Sequence, residues 1–484
     1  MAEQEQHERR YKALSVEEDT SRDVSNVSAG TESEQSASSA PPPIRSQITR
    51  AVKAMTQRRS ASAPKPPKNE QQRDMADSSS GGYFGTPERM PPRPILKFTL
   101  LQWTEPVSPM VDATEKPPLD TILNSYDFEQ AAAIFGPKKA YTFYSTAATD
   151  CWTRDANEAM LKRIWFRPRV MKDVSEVDTS STVLNIPVKL PLFICPTGLA
   201  RLINPEAEKG LARAAKSTGI LEILSTNAGH PVGEIVQEAP DYPFLFQLYL
   251  NKQKEKSRET LRMAESLGMK AIFLTVDAAG RGKRESDERL RVYDAVEIVN
   301  PVTGERVKPD KKGGGLTRAM GSYIDQGMTW RDIAWIRSVT RLPIILKGIT
   351  NAEDAKIAMQ HNVEGMMLSN HGGRNLDYTP PSILLLLELH KNCPEVFDRM
   401  EIYVDGGFRR GGDIIKALCL GAKAVGIEHL VELLKEEMES VMKLIGIKNL
   451  SEVHPGLVNT LDVDYLVPSG PGHPYAKWSP RSKI

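Results

Sequence analysis

The sequence predicts an α/β protein whose ordered part is a (β/α)8 TIM barrel behind a disordered N-terminal extension. Three observations carry this expectation. From about residue 190, short apolar runs rich in β-branched residues alternate with amphipathic segments of helical spacing, as parallel strands with crossover helices require. Eight such runs can be counted, enough to close a barrel. Polar side chains gather at the carboxyl end of each run, where a barrel keeps its chemistry. An open doubly wound sheet is the alternative, but no GxGxxG follows a first strand to support it.

Residues 1–90 are rich in Ser, Pro, Gln, Glu, Lys and Arg, with Tyr11, Tyr83 and Phe84 as their aromatics. They lack the apolar content to offset chain entropy and read as a disordered tail. Acidic residues such as Glu3, Glu17, Glu18 and Asp19 come first, and a basic run with Lys53, Arg58, Arg59 and Lys65 follows. A solvated tail is the reading preferred over a membrane or nucleic-acid contact. Residues 91–118 form a linker, 119–462 the barrel domain and 463–484 a C-terminal tail.

The strands are expected at Leu192–Cys195, Leu221–Ser225, Phe244–Tyr249, Ala271–Val276, Pro343–Leu346, Gly365–Leu368, Glu401–Val404 and Lys423–Ile427. Their ends carry, in order, Pro196-Thr197-Gly198, Ser225-Thr226-Asn227, Gln247-Leu248-Tyr249, Thr275-Val276-Asp277, Lys347-Gly348, Ser369-Asn370-His371 and Asp405-Gly406-Gly407-Phe408-Arg409-Arg410. Helix signals lie between them. Asn351 before Glu353 and Asp354, for example, supplies an N-cap and early carboxylates that satisfy free amides and the helix dipole. The charged, glycine-rich insert at about 285–330 is too long for an ordinary connection; it is either a lid over the mouth or a disordered surface insertion.

The net charge of +1 excludes a strongly basic nucleic-acid binder. No apolar run is long enough to span a bilayer, and no signal region opens the chain. Cys151, Cys195, Cys393 and Cys419 have no CxxC spacing, so neither a metal site nor a disulfide framework is expected. A reducing, cytoplasmic setting follows. The acidic start argues against a mitochondrial transit peptide, and Ser482-Lys483-Ile484 differs at its last residue from a peroxisomal address.

The most informative stretch is Ser369-Asn370-His371-Gly372-Gly373-Arg374-Asn375-Leu376-Asp377, which places an imidazole three residues before a guanidinium on a glycine-rich turn. The imidazole can take a proton while the guanidinium grips a neighbouring carboxylate through two parallel hydrogen bonds. That pairing suits the oxidation of a hydroxy acid.

With Leu274-Thr275-Val276-Asp277 followed by Gly282 and Arg284, Phe246-Gln247-Leu248-Tyr249, and Asp405-Gly406-Gly407 followed by Arg409-Arg410-Gly411, the chain resembles the FMN-dependent α-hydroxy-acid oxidising family over residues 119–460. That family includes glycolate oxidase, lactate oxidase and the L-lactate dehydrogenase flavocytochromes. The resemblance implies FMN, a small 2-hydroxy acid as substrate, dioxygen or a redox protein as electron acceptor, and a homo-oligomer. It implies that His371 is the base, held by Asp277, with Tyr249 on the substrate hydroxyl and Arg374, Arg284 and Tyr141 around the carboxylate. Lys347 would put a positive charge beside the flavin ring. Pro196, Thr197, Gly198, Ser225, Gln247, Thr275 and Ser369 would line the ring, and Asp405, Gly406, Gly407 and Arg409 the phosphate side. His7 is the one histidine before residue 230, so the haem of the flavocytochromes is not expected.

The chain departs from the family pattern in three places. Val425-Gly426-Ile427 runs straight into Glu428-His429-Leu430 and a helical pattern, without the Gly-Arg loop that completes the family's phosphate site after strand eight. Losing those contacts would cost about 2–4 kcal/mol, roughly thirty- to several-hundred-fold in FMN affinity. A catalytically weak or inactive barrel acting as a protein-interaction module is therefore the alternative function. Gly198 stands where family members often carry Ala, and Asn227 where glycolate oxidase has a bulky aromatic.

Overall fold

The computed structural model describes residues 115–280, 282–290, 321–427 and 431–468. The tail at 1–90, most of the linker, the middle of the 285–330 insert, the expected helix start at 428–430 and the end of the chain lie outside the described residues.

Among the described residues, three α-helices precede the barrel: α1 (Ser125–Phe135), α2 (Lys138–Ser145) and α3 (Trp152–Lys162). Asn124 caps α1 by accepting from the backbone amides of Tyr126 and Asp127. Eight strands follow: β1 (Leu192–Ile194), β2 (Leu221–Leu224), β3 (Leu245–Leu248), β4 (Ile272–Thr275), β5 (Ile344–Ile349), β6 (Gly365–Leu368), β7 (Glu401–Val404) and β8 (Ala424–Ile427). Each pairs in parallel with the next, and β8 pairs with β1 to close the barrel. The outer helices are α4 (Ala207–Thr218), α5 (Val232–Glu238), α6 (Lys254–Ser266), α7 (Glu285–Arg289), α8 (Arg331–Val339), α9 (Ala352–Gln360), α10 (Ser382–Asn392), α11 (Val396–Arg399), α12 (Gly411–Cys419) and α13 (Val431–Ile445).

All eight expected strands form at their expected places. They are short and apolar because both faces are covered: one lines the barrel interior and the other meets the helices. Phe193, Leu221, Ile223, Leu245, Phe273, Ile345, Met367 and Tyr403 fill the interior. Leu224, Phe246, Leu274, Leu346, Leu368 and Val404 face the helical layer. A two-stranded hairpin that the pattern analysis did not reveal, Ser181–Val183 with Ile186–Val188, adds Val183 and Val188 to the interior cluster. Its Leu184 amide donates to the Glu401 carboxylate at the start of β7.

Strand β5 runs past its expected end at Leu346. Its pairing with β6 shifts between Lys347 and Ile349, and Gly348 there has φ +113°. A Cβ on Gly348 would meet the Asp277 side chain at 2.6 Å, so glycine lets the two strand ends approach. Helix α13 buries Leu434, Met438, Met442 and Ile445 on one face, the spacing expected of it. Contacts continue beyond the expected domain end at 462: Lys391 donates to the Asp464 carbonyl and Asn392 to that of Pro468.

Candidate functional site

The carboxyl ends of β1 to β6 converge on one polar cluster. After β6 the chain turns sharply. His371 itself has φ +59°, a conformation that costs a non-glycine residue energy and is tolerated where its surroundings impose it. Those surroundings are visible. Asn370 exchanges two side-chain amide hydrogen bonds with Asn157 of α3, at 2.7 and 2.9 Å, and its Oδ1 also accepts from the Gly373 amide. The His371 amide donates to Ser369 Oγ at 3.1 Å.

His371 Nδ1 lies 3.0 Å and 3.2 Å from the two Asp277 oxygens. An ionised carboxylate only accepts, so Nδ1 carries the hydrogen and Nε2 keeps its lone pair. Burial opposes the Asp277 charge, but His371, by charge and hydrogen bond, and Lys347 outweigh it and hold its carboxyl below the ordinary range. Nε2 sits 3.5 Å from the Tyr249 hydroxyl. Burial, then the Asp277 charge, pushes the Tyr249 phenol up to about 12, so it is a neutral donor at physiological pH. Asn375 donates through Nδ2 to the Asp277 carbonyl at 2.9 Å, a positioning contact inside the motif that its residue type alone did not reveal.

Two guanidiniums stand beside this triad. Arg374 donates to the Tyr144 carbonyl and lies over the Tyr144 ring. Arg284 is 6% exposed, sits over the Phe143 ring, and leaves Nε and Nη1 without a hydrogen-bond partner among the described residues. Burial, then the neighbouring Arg374 charge, depresses its pKa. A buried cation with unspent donors beside a second cation is a site that gains from an anion, and a carboxylate matches the planar donor fork. Gly282 makes room for this arrangement, since a Cβ there would meet the Arg374 carbonyl oxygen at 1.9 Å.

The remaining predicted residues divide between two neighbourhoods. Lys347 is 5% exposed, donates to Ser369 Oγ at 2.9 Å and pairs with Asp405 at 3.3 Å. Burial opposes its charge, but Asp405 and Asp277 raise its pKa above the ordinary value. Asp405 Oδ1 is buried without a hydrogen-bond partner among the described residues. Gln247 donates to Thr275 Oγ1 at 2.9 Å and lies 3.5 Å from Ser225 Oγ, so these three side chains form one buried set. Pro196, Thr197 and Gly198 are partly exposed at the end of β1, and the Gly198 carbonyl accepts from the Tyr144 hydroxyl at 2.7 Å.

Two of the predicted residues have surroundings that the motifs did not show. Tyr141 makes no hydrogen bond or ring contact with either arginine among the described residues; Phe143 and Tyr144, on the last turn of α2, do so instead. Arg409 is not held open for a phosphate. It pairs with Glu129 at 2.6 Å, lies 3.8 Å from Glu158 and covers the Tyr126 ring. Arg410 pairs with Glu437 of α13 at 2.7 Å, and the same carboxylate accepts from the Gly411 amide at 2.6 Å. Carboxylates from α1, α3 and α13 satisfy the donors at this end, a pairing of distant segments that no local motif reveals. Gly406 and Gly407 pack against Asn157 of α3.

Asp377, the last residue of the motif, is a structural member of the site. Its carboxylate accepts from the Thr149 hydroxyl and from the backbone amides of Asp150, Trp152 and Thr153, tying the His371–Arg374 loop to the start of α3.

Residues 133–460 match the model of the FMN-dependent dehydrogenase family. Among curated relatives, the chain is 36% identical over 367 residues to the L-lactate dehydrogenase (cytochrome) of Wickerhamomyces anomalus, covering 72% of this chain and 63% of that protein. It thus spans less than two thirds of that relative's length. It is 37% identical to glycolate oxidase 3 of Arabidopsis thaliana, over 69% of this chain and 94% of that one. Among solved structures, the recombinant flavin-binding domain of baker's yeast flavocytochrome b2 superposes with a TM-score of 0.64 at 34% identity, over 76% of this chain and 94% of that one. Mandelate oxidase with (S)-4-hydroxymandelic acid superposes with a TM-score of 0.63 at 29% identity, over 70% and 98% of the two chains.

Proposed function

Because the chain belongs to the FMN-dependent dehydrogenase family, we propose that it oxidises a lactate-like L-2-hydroxy acid to the 2-oxo acid. FMN is the cofactor that membership indicates, and it supplies the acceptor for the two electrons leaving the substrate. Everything else in the reaction falls to side chains. Arg284 and Arg374 hold the substrate carboxylate, Tyr249 hydrogen-bonds the hydroxyl, and His371 Nε2 takes a proton while Asp277 stabilises the resulting imidazolium.

The observation that carries this reading is the buried Arg284 guanidinium with two unspent nitrogens, set beside Arg374 and the His371–Asp277 pair. Residues are available for the cofactor's ring: the buried Lys347 ammonium and the Ser225, Gln247 and Thr275 set. The phosphate end fits less well, since Arg409 and Arg410 already have carboxylate partners. This specific mismatch favours the second reading, a barrel of weak activity that acts through protein contacts.

Purified full-length chain loaded with FMN and titrated anaerobically with L-lactate separates the two. Bleaching of the yellow colour is expected; a flavin that stays oxidised with lactate, glycolate and mandelate alike rejects the catalytic reading. The electron acceptor, dioxygen or a redox protein, the homo-oligomer and a cytoplasmic setting complete the proposal.

A further inference from the structure

Arg284 can offer its guanidinium to a substrate only while no carboxylate of the chain itself occupies it, and one such carboxylate stands on its own helix. Arg284 is the N-cap of α7, and Asp287 is the third residue of that helix. A carboxylate at that position lies beside the N-cap residue and commonly reaches back to it, as in a capping box. Asp287 is 1% exposed, so its charge has little help from water. That charge is felt at the guanidinium: burial, then Arg374, depresses the Arg284 pKa, and Asp287 acts in the opposite direction. Yet among the described residues no hydrogen bond or ion pair joins the two side chains, and Arg284 keeps Nε and Nη1 unpartnered.

What engages Asp287 is Lys139. Its ammonium donates to Asp287 Oδ1 at 2.6 Å and also to the Asp287 backbone carbonyl, so side chain and backbone are both fixed. Lys139 stands on α2 one turn before Phe143, and residues four apart share a helix face. That face meets α7 at two points: Lys139 takes the Asp287 carboxylate, and the Phe143 ring lies 5.4 Å from the Arg284 guanidinium. A ring face attracts a cation without occupying its N–H donors. The carboxylate at the first position of α7, Glu285, is held by Lys283 at 2.9 Å and Arg289 at 2.6 Å. Oppositely charged neighbours on one short helix are thus sorted to different partners.

We propose that Lys139 is a positioning residue: by engaging Asp287, it keeps the Arg284 guanidinium open for the substrate carboxylate. This rests on the reading of Arg284 as a carboxylate anchor and adds to it a residue that touches neither substrate nor cofactor. Without the ammonium, Asp287 is a buried charge in need of a partner, and Arg284 is one helical turn away. The internal pair then competes with the substrate for the same donors. The signature is a reversal. A second substitution that removes the Asp287 charge restores what loss of Lys139 takes away, whereas a pair that only braces α2 against α7 gives no such recovery.

The test uses the FMN-loaded full chain with oxalate as probe, a carboxylate that has no α-hydrogen to lose. Calorimetry gives its dissociation constants, and KM and kcat for L-lactate are measured beside them. Lys139→Met is expected to weaken oxalate binding about ten- to a hundredfold and to raise KM by a similar factor while kcat changes little, since the lost contact serves ground and transition states alike. Asp287→Asn alone, and Lys139→Met combined with Asp287→Asn, should each bind oxalate within about threefold of the wild type. Unchanged affinity in Lys139→Met, or a double variant no tighter than Lys139→Met, overturns the inference. Where Lys139→Met does not fold, Asp287→Asn decides: affinity within that range supports the inference, and a greater loss shows that Asp287 orients Arg284 rather than competing for it, which overturns it. A wild type that binds no oxalate overturns both this inference and the carboxylate reading; wild-type binding with all variants alike overturns this inference alone.

Discussion

The mouth of the barrel has two unlike halves. Around β2 to β6, donors and acceptors are arranged about an empty demand: Arg284 has unspent nitrogens, His371 is oriented by Asp277, and Asn370 is locked to Asn157. Around β7 and the start of α12, the cationic groups are spent. Arg409 belongs to Glu129 and Glu158, and Arg410 and the Gly411 amide belong to Glu437. The contrast shows that a binding site is recognised less by which charges are present than by which remain unsatisfied. Exposed ion pairs of the Arg409 kind are weak, about 0–1 kcal/mol each, so the second half is closed by cheap contacts that a strong anionic ligand can displace.

The largest effect should come from the unsatisfied half. His371→Gln removes the base and is expected to lower turnover about 10³- to 10⁴-fold in stopped-flow reduction of the flavin, while flavin binding by fluorescence quenching is retained. Normal turnover in that variant would break the comparison at its root. Next is the spent half. Inserting a Gly-Arg loop of the family type after Ile427 should tighten FMN binding roughly thirty- to several-hundred-fold, because it adds a charge-assisted contact and an amide. An unchanged FMN dissociation constant would mean that the phosphate is already held adequately. Arg374→Lys should raise KM for L-lactate about ten- to a hundredfold with a smaller change in kcat, since an ammonium cannot form the planar fork.

The smallest expected effect concerns the tie between the halves. Burial works against ionisation of Asp377, yet hydrogen bonds from Thr153, Thr149, Trp152 and Tyr378 hold its carboxyl at about 2. That lies below the unfolded value of about 3.9, so the group stabilises the fold above about pH 4 and loses that contribution as pH falls toward 2. Asp377→Asn should cost about 2 kcal/mol at pH 6 and should flatten the acid limb of stability between about pH 4 and pH 2. Urea melts across that range measure both. An acid limb identical to the wild type would show that other carboxylates carry it.

Much of this was legible from the chain. Alternating runs located all eight strands because a parallel barrel strand must be apolar on both faces, and that requirement is local. His371, Asp277, Tyr249, Arg374 and Lys347 could be placed at strand ends for the same reason. Residues 141, 143 and 144 share one short helix, and the contacts of Phe143 and Tyr144 with the arginines come from packing that the helix pattern does not record. The carboxylate partners of Arg409 were not legible because they arrive from α1 and α3, far away in sequence.

What the sequence by itself determined is therefore the periodic part: barrel class, strand positions, the glycine turn at Gly372 and Gly373, and which residue types stand at the mouth. What only the tertiary structure decided is which of those groups are already satisfied. His371 finds Asp277 across 94 residues and Lys139 finds Asp287 across 148. Periodicity encodes which face a residue turns to its immediate surroundings. The partner that fills or leaves open a hydrogen bond comes from chain closure over distances that no local pattern records.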